Sequence, residues 1–276
     1  MKWVFLMWWI AVAAQAAVDF SQVETLLKKS KNLDELVSAL PLELRSNYTF
    51  IYQSRGPHGG LGNEKASAVD KTHPRAVLFS ADGKVTLAFT SNPNKPGYNV
   101  VEAIRYKEEG AKFELSRYAL GEASAEEQAD PSNGKINPES CLRCHGQDPR
   151  PISDSYPLWP GFYGSVRDAF PKGSKELKWY KQFLSTTAKT GPFKNLVWLK
   201  DTSVPPYLDP KQYDPNASEG PIEEMKYLPN TRLGMAWTEL NRKRIFRKIK
   251  ASPLYRTYRY ALLSGFLGKG HFSPNL

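Results

Sequence analysis

Across residues 21–40 the apolar side chains Val23, Leu26, Leu27, Leu33, Leu36, Val37 and Leu40 recur at three- and four-residue spacings, and Pro41 ends the series. That is the stripe of an amphipathic helix, with residues 30–32 available as a break into two shorter ones. The pattern then changes. Tyr48-Thr49-Phe50-Ile51-Tyr52 is β-branched and aromatic and runs into Arg55-Gly56-Pro57-His58-Gly59-Gly60, a strand followed by a loop. Residues 75–79 and 85–89 are apolar runs flanking Ala81-Asp82-Gly83-Lys84, and an Asp-Gly between two such runs predicts a hairpin. Residues 98–106 and 112–118 predict a second hairpin around Glu108-Glu109-Gly110.

Residues 121–134 are small, acidic and polar, and read as a linker. Beyond them the apolar period becomes helical. Leu177, Tyr180 and Leu184 mark a helix over 175–185. Asn230 or Thr231 can cap another carrying Leu233, Trp237 and Leu240. Ile245 and Ile249 depart from that stripe, which predicts a helix that buries a second face or bends. Ser252-Pro253 breaks it, and residues 254–267 predict a last apolar helix. Proline-rich loops occupy 148–164 and 204–221. The expected fold class is α+β: a helical segment over 17–46, an antiparallel β module over 47–120, the linker, and a mainly helical, loop-rich region over 135–276. No internal repeat is present.

Residues 1–16 read as a secretory signal peptide. Lys2 supplies the positive start, residues 3–14 are almost wholly apolar, and Ala14-Gln15-Ala16 is a small-x-small cleavage pattern. The apolar run is shorter than the roughly 20 residues of a spanning helix. The expectation is therefore a mature protein beginning near Ala17, located in the periplasm, with no stable membrane insertion. The net charge of +10 is uneven. Residues 3–160 carry 17 Lys and Arg against 19 Asp and Glu, whereas residues 161–276 carry 20 against 9. The densest run is Arg242, Lys243, Arg244, Arg247, Lys248 and Lys250. In an exported chain this excludes nucleic acid as the expected partner and leaves an acidic protein, an anionic surface, or a solvated helix face.

The two cysteines are three positions apart in Ser140-Cys141-Leu142-Arg143-Cys144-His145-Gly146. Cys-x-x-Cys-His is the attachment signature of c-type haem. Thiols spaced by one helical turn reach the two vinyl groups of one porphyrin, and the adjacent His145 is placed as an axial iron ligand. A redox-active Cys-x-x-Cys would open a long helix, and Pro149-Arg150-Pro151 forbids one here. A zinc site would need further ligands. One covalent haem c is thus the expected cofactor, with a local disulfide between Cys141 and Cys144 as the alternative. The aromatic stretch from Pro151 through Tyr156, Trp159, Phe162 and Tyr163 suits either a porphyrin edge or ordinary core, and Arg143 or Arg150 is available to a propionate. For the other axial position Met225 leads, with an open site as the alternative. Met235 is expected to pack beside Trp237, and His58, His73 and His271 are expected at the surface.

The block Cys141-Leu-Arg-Cys-His-Gly-Gln-Asp-Pro-Arg-Pro-Ile, continuing to Tyr156-Pro-Leu-Trp-Pro-Gly-Phe-Tyr-Gly-Ser165, resembles a group of exported bacterial monohaem cytochrome c-like proteins. The resemblance extends to Pro74-Arg75-Ala-Val-Leu-Phe79 with Asp82-Gly83-Lys84, and to Asn230-Thr-Arg-Leu-Gly234 with Leu240-Asn241. It implies haem attachment at Cys141, Cys144 and His145, and names no activity. Three functions compete: electron transfer with a redox partner, possibly acidic; a peroxidase-like haem enzyme with Arg55, His58 or Arg75 beside an open iron; and a haem-based sensor or binding protein.

Overall fold

The structure, a computed structural model, describes residues 17–53, 69–151, 161–165, 168, 170, 174–197 and 229–266. The proposed signal peptide lies outside the described residues. The N-terminal stripe forms two helices, α1 (Phe20–Lys29) and α2 (Leu33–Ala39), capped by Asp19 and Asn32, and a short α3 (Leu42–Ser46) follows. The chain then lays down β1 (Tyr48–Ile51), β2 (Arg75–Phe79), β3 (Val85–Phe89), β4 (Val100–Lys107) and β5 (Lys112–Ala119). They form one antiparallel sheet in sequence order, the simplest topology that successive hairpins allow. After it come α4 (Ala125–Ala129), α5 (Glu139–His145), α6 (Lys175–Thr186), a 3₁₀ turn (Gly191–Asn195), α7 (Pro229–Ala251) and α8 (Tyr255–Phe266). This is the expected α+β arrangement, an antiparallel sheet followed by a mainly helical region. Among the described residues no helix is long and apolar enough to cross a membrane.

The sheet is covered on both faces, which explains why its strands read as nearly continuous apolar runs. On one face Phe50, Leu78, Leu87, Phe89 and Val101 join Val23, Leu27, Leu36 and Val37 of α1 and α2 and Tyr180 and Phe183 of α6 in the main core. Phe50, Phe183 and Phe193 meet edge to face, with ring centroids 4.9–5.4 Å apart. On the other face α7 lays Leu233 and Trp237 on Val77 and Phe79, and Leu240 on Tyr106 and Phe113. The hairpin turn beneath α7 needs Gly83. Its φ is +70°, and a Cβ there would stand 2.7 Å from the Cβ of Ala236.

Three expectations for α7 are corrected. Asn230 and Thr231 lie within its first turn, and the cap comes from Asp168. One Asp168 carboxylate oxygen accepts from the Asn230 N–H at 2.8 Å, the other from the Thr231 N–H and hydroxyl at 2.8 and 2.7 Å. A carboxylate here also meets the positive end of the helix dipole, and Pro229 at the first position has no N–H to satisfy. Ile245 and Ile249 bury no second face; both are exposed. Met235 does not pack with Trp237 and is 68% exposed. Two positions along a helix turn a side chain about 200° from its neighbour, so burying Trp237 turns Met235 outward.

The residues expected as a linker are fastened to the sheet. Gly121 and Glu122 donate backbone bonds to Ser30 and Lys31. Arg117 of β5 pairs with Glu127 and with Asp130. Asn133 and Asn137 then bond along the outer edge of β5: the Ala119 N–H donates to Asn133 Oδ1, and Asn137 exchanges bonds with Leu115 through both its backbone N–H and its side chain. At the opposite edge Gly161, Phe162 and Tyr163 pair with β1. The Tyr52 N–H donates to the Gly161 carbonyl at 2.8 Å and the Tyr163 N–H to the Phe50 carbonyl at 3.0 Å. A Cβ on Gly161 would come within 2.0 Å of the Gln53 carbonyl oxygen, and φ there is +93°, so only glycine fits.

Asn230 ties this second edge to α7. Fully buried, its amide donates to the Tyr163 and Gly164 carbonyls at 3.0 and 3.2 Å, and its oxygen accepts the Thr49 hydroxyl at 2.6 Å. Replacing it with alanine leaves those groups buried without partners. Asn230→Ala should therefore cost about 3 kcal/mol, taking two to three lost bonds at about 1–1.5 kcal/mol each. The check is urea unfolding followed by circular dichroism: a lower midpoint with an unchanged slope is expected.

Candidate functional site

Pro138 opens α5, its carbonyl accepting from the N–H groups of Cys141 and Leu142 at 2.9 and 3.1 Å. Gly146 closes it at φ +84°. The helix is one strongly bounded element of seven residues. Cys141 and Cys144 are three apart on it, so they share a face. Both are free thiols, Cys141 half-buried and Cys144 exposed. Burial, and after it the negative charge of Glu102, pushes the Cys141 thiol up to about 11. A redox-active Cys-x-x-Cys depends on a depressed thiol, and Cys141 has the reverse environment.

His145 is fixed by a group that no sequence pattern indicates. Its Nδ1 lies 2.6 Å from the Arg150 carbonyl oxygen. A carbonyl can only accept, so Nδ1 carries the proton and donates, which leaves the Nε2 lone pair outside that bond. Burial lowers the ring's affinity for a second proton, and the Arg150 carbonyl and Glu102 only partly oppose this. The net shift is downward, favouring the neutral imidazole. A fixed ring with its second nitrogen held by a backbone carbonyl is how proteins orient a metal-ligating histidine.

The next residues are clamped from α7. Asp148 pairs with Arg244, with Lys248 at 2.6 Å and with Arg247 at 3.6 Å. Burial works to raise the Asp148 carboxyl, but the Lys248 hydrogen bond and the Arg244 charge outweigh it and hold it below its ordinary value. Much of the basic run is thus paired with acidic side chains. Lys243 reaches Glu108 at 3.5 Å and Arg242 pairs with Glu239 at 2.7 Å. On the sheet, buried Arg75 of β2 pairs with Glu102 of β4, the carboxylate whose charge reaches Cys141 and His145.

The structure therefore brings Cys141, Cys144 and His145 together on one short helix. Arg143 and Arg150 are exposed beside them. Of the other candidates, His73 sits in a loop with Asp70 and Thr72, its Nδ1 3.4 Å from the Asp70 carboxylate. Phe162 and Tyr163 are core, packed with Phe79 and Trp237 on one side and with Tyr180 and Phe183 on the other. Met225, Arg55, His58, His271 and the aromatic residues 152–160 lie outside the described residues. Among the described residues, no group of three or more His, Cys, Asp or Glu side chains is gathered as a metal centre. Sequence reading missed Asp148, Glu102 and the Arg150 carbonyl; an acid two residues past Gly146 was the one visible signal.

No protein-family model, curated protein or solved structure matches the chain.

Asp148→Asn should lower stability at pH 7 by about 2 kcal/mol, the scale of a hydrogen bond to a charged group. A depressed folded value makes this contribution complete above the ordinary carboxylate value of 3.8 and lost as pH falls through the lower folded one. Thermal melts of both proteins should accordingly converge on acidification.

Proposed function

We propose that this chain is a c-type cytochrome holding one covalent haem through Cys141 and Cys144, with His145 on the iron, and that it transfers electrons to or from a protein partner. The observation that carries this reading is the Nδ1–H···O=C bond from His145 to Arg150, on the same helix that sets both thiols on one face. The donor set fits the group. Two unpaired thiols one turn apart match two vinyl groups, and a neutral imidazole with Nε2 outside its hydrogen bond matches an axial site. Cys141 and Cys144 would hold the porphyrin through thioethers, and Met225 is the candidate for the opposite axial position. When bound, the haem supplies a reversible one-electron couple.

The chain's own residues do the rest. Arg150 keeps the imidazole oriented, and Asp148, gripped by α7, keeps the turn after His145 from moving. Arg143 lies exposed on the same helix. Three cations converge on the single charge of Asp148, so this side of the molecule stays net positive and suits an acidic partner through long-range attraction. The enzyme alternative needs an acid, base or cation beside the iron. Arg75, its described candidate, is engaged by Glu102, and this favours the carrier.

Expression with haem maturation machinery tests the assignment. The wild type should give the pyridine haemochrome of a haem with both vinyls saturated and keep its colour through denaturing electrophoresis. Cys141→Ala/Cys144→Ala should lose covalent haem. His145→Ala should lose the low-spin spectrum. A colourless wild-type band would sink the proposal.

A further inference from the structure

We propose that the corner between α7 and α8, residues 245–260, is a docking surface for an anionic phospholipid bilayer, on which the chain lies without crossing it. The inference concerns a part of the molecule that the haem reading does not use, and it stands or falls without a haem.

The first observation is where apolar surface is left uncovered. Of the ten large apolar side chains exposed among the described residues, six are Ile245, Phe246, Ile249, Leu254, Tyr258 and Tyr260. Their confinement to one short stretch makes a patch, and patches of this kind mark interaction sites. On α7 the helical period turns Ile245, Phe246 and Ile249 away from the sheet, because Leu240 and Arg244 occupy the buried side. The helix ends at Ala251, and the Tyr255 N–H donates to the Ser252 carbonyl at 3.0 Å in the corner that opens α8. Of the side chains described on α8, those of residues 255–261, none is buried.

The second observation is charge. Residues 240–276 carry nine Lys and Arg and no Asp or Glu. Ion pairs take up Arg242, Lys243, Arg244, Arg247 and Lys248, which leaves Lys250, Arg256 and Arg259 as the cations of this corner. Lys250 Nζ stands 4.6 Å from the centroid of the Phe246 ring, and the Arg259 guanidinium 4.8 Å from that of Tyr260. Cations beside exposed aromatic rings suit the headgroup layer, where an apolar body is buried while the charge stays at the phosphates.

The distribution of these groups selects the occupant. A second copy docking through the same face would set cations against cations. A protein partner engages one side of a helix, whereas both sides of α8 carry contact groups. Leu254, whose carbonyl accepts from the Tyr258 N–H at 3.0 Å, shares one side with Tyr258. Arg256 and Arg259 lie on the other. A helix immersed in the headgroup plane uses both, its apolar side toward the acyl chains and its cations among the anionic lipids.

Co-sedimentation of the full chain with vesicles at about 0.1 M salt tests this, comparing phosphatidylglycerol–phosphatidylcholine with phosphatidylcholine alone. The apolar residues 3–14 are common to every variant, so the ratio to wild type on the same vesicles is the readout. Wild type should prefer the anionic vesicles by at least about tenfold, since each cation near such a surface strengthens partition about fivefold. Arg256→Gln/Arg259→Gln should weaken binding by more than about tenfold, and Arg256→Lys/Arg259→Lys should stay within about twofold of wild type. Leu254→Ser/Tyr258→Ser should weaken it about tenfold through lost apolar burial. As a control, Lys178→Gln/Lys181→Gln removes equal charge from exposed positions of α6, which packs on the other face of the sheet, and should change it less than about twofold. Should Leu254→Ser/Tyr258→Ser not fold, Phe246→Ser/Ile249→Ser reads the same contact on α7.

Losses at least about fivefold beyond the α6 control, from both the cation pair and the apolar pair, support the bilayer. A smaller loss from either pair, or an equal loss from the control, reduces the binding to the general attraction of a basic chain and overturns it. A wild type with no preference for anionic vesicles overturns it as well. A concentration-dependent dimer in sedimentation velocity that Leu254→Ser/Tyr258→Ser abolishes gives the face to a second copy instead. None of these outcomes touches the haem reading.

Discussion

The buried pair of Arg75 and Glu102 divides a sheet face that is otherwise apolar. Removing an ion pair from water costs several kcal/mol per charge before its mutual attraction is counted. Such a pair sits poorly under a purely hydrophobic helix. The division it imposes is visible in what covers the face. Helix α7 places Leu233, Trp237 and Leu240 over Val77, Phe79, Tyr106 and Phe113. The short helix with the two thiols and His145 follows the β5 edge along the chain and is tied to α7 through Asp148.

A seven-residue helix has little stability of its own, so its position comes from its anchors. Asn137 stitches the chain to Leu115 immediately before α5, and Asp148 is gripped by Arg244, Arg247 and Lys248 immediately after it. Helix α7 is itself fixed by Asp168 at its start and by Asn230, which reaches Thr49, Tyr163 and Gly164. The same helix therefore locks the β1 edge at one end and the turn after His145 farther along. Sheet, thiol helix and α7 form a closed mechanical loop in which each holds the next.

Local chemistry was readable in the sequence and long-range chemistry was not. The apolar runs on either side of Asp82-Gly83 and of Glu108-Glu109-Gly110 are hairpins because adjacent strands decide their own pairing. The break at residues 30–32 separates α1 from α2 because Asn32 supplies a cap three residues ahead of Glu35. Cys141, Cys144 and His145 were legible for the same reason: one turn of helix contains them all. The Asp168 cap lies 62 residues from Asn230, and Asp148 lies 96 residues from Arg244. No spacing rule connects such pairs. The Arg150 carbonyl is a further case, since every residue has one and only the fold selects it. Met235 and Ile245 show the converse. Both are apolar, but the helix has only one buried side, and Trp237 with Leu240 decides which.

The basic run of α7 shows how far a charge count falls short of a surface. Read along the chain, Arg242 to Lys250 is an unbroken positive patch. In three dimensions Arg242 faces Glu239, Lys243 faces Glu108, and Arg244, Arg247 and Lys248 share one aspartate. The run is first a structural clamp, and the single buried member, Arg244, is its pivot. What remains is a positive surplus, because Asp148 cannot balance three cations at once. That surplus lies beside the turn that follows His145. Fixing the turn after His145 and leaving a positive surplus beside it then draw on the same side chains, and a substitution that frees Asp148 disturbs both.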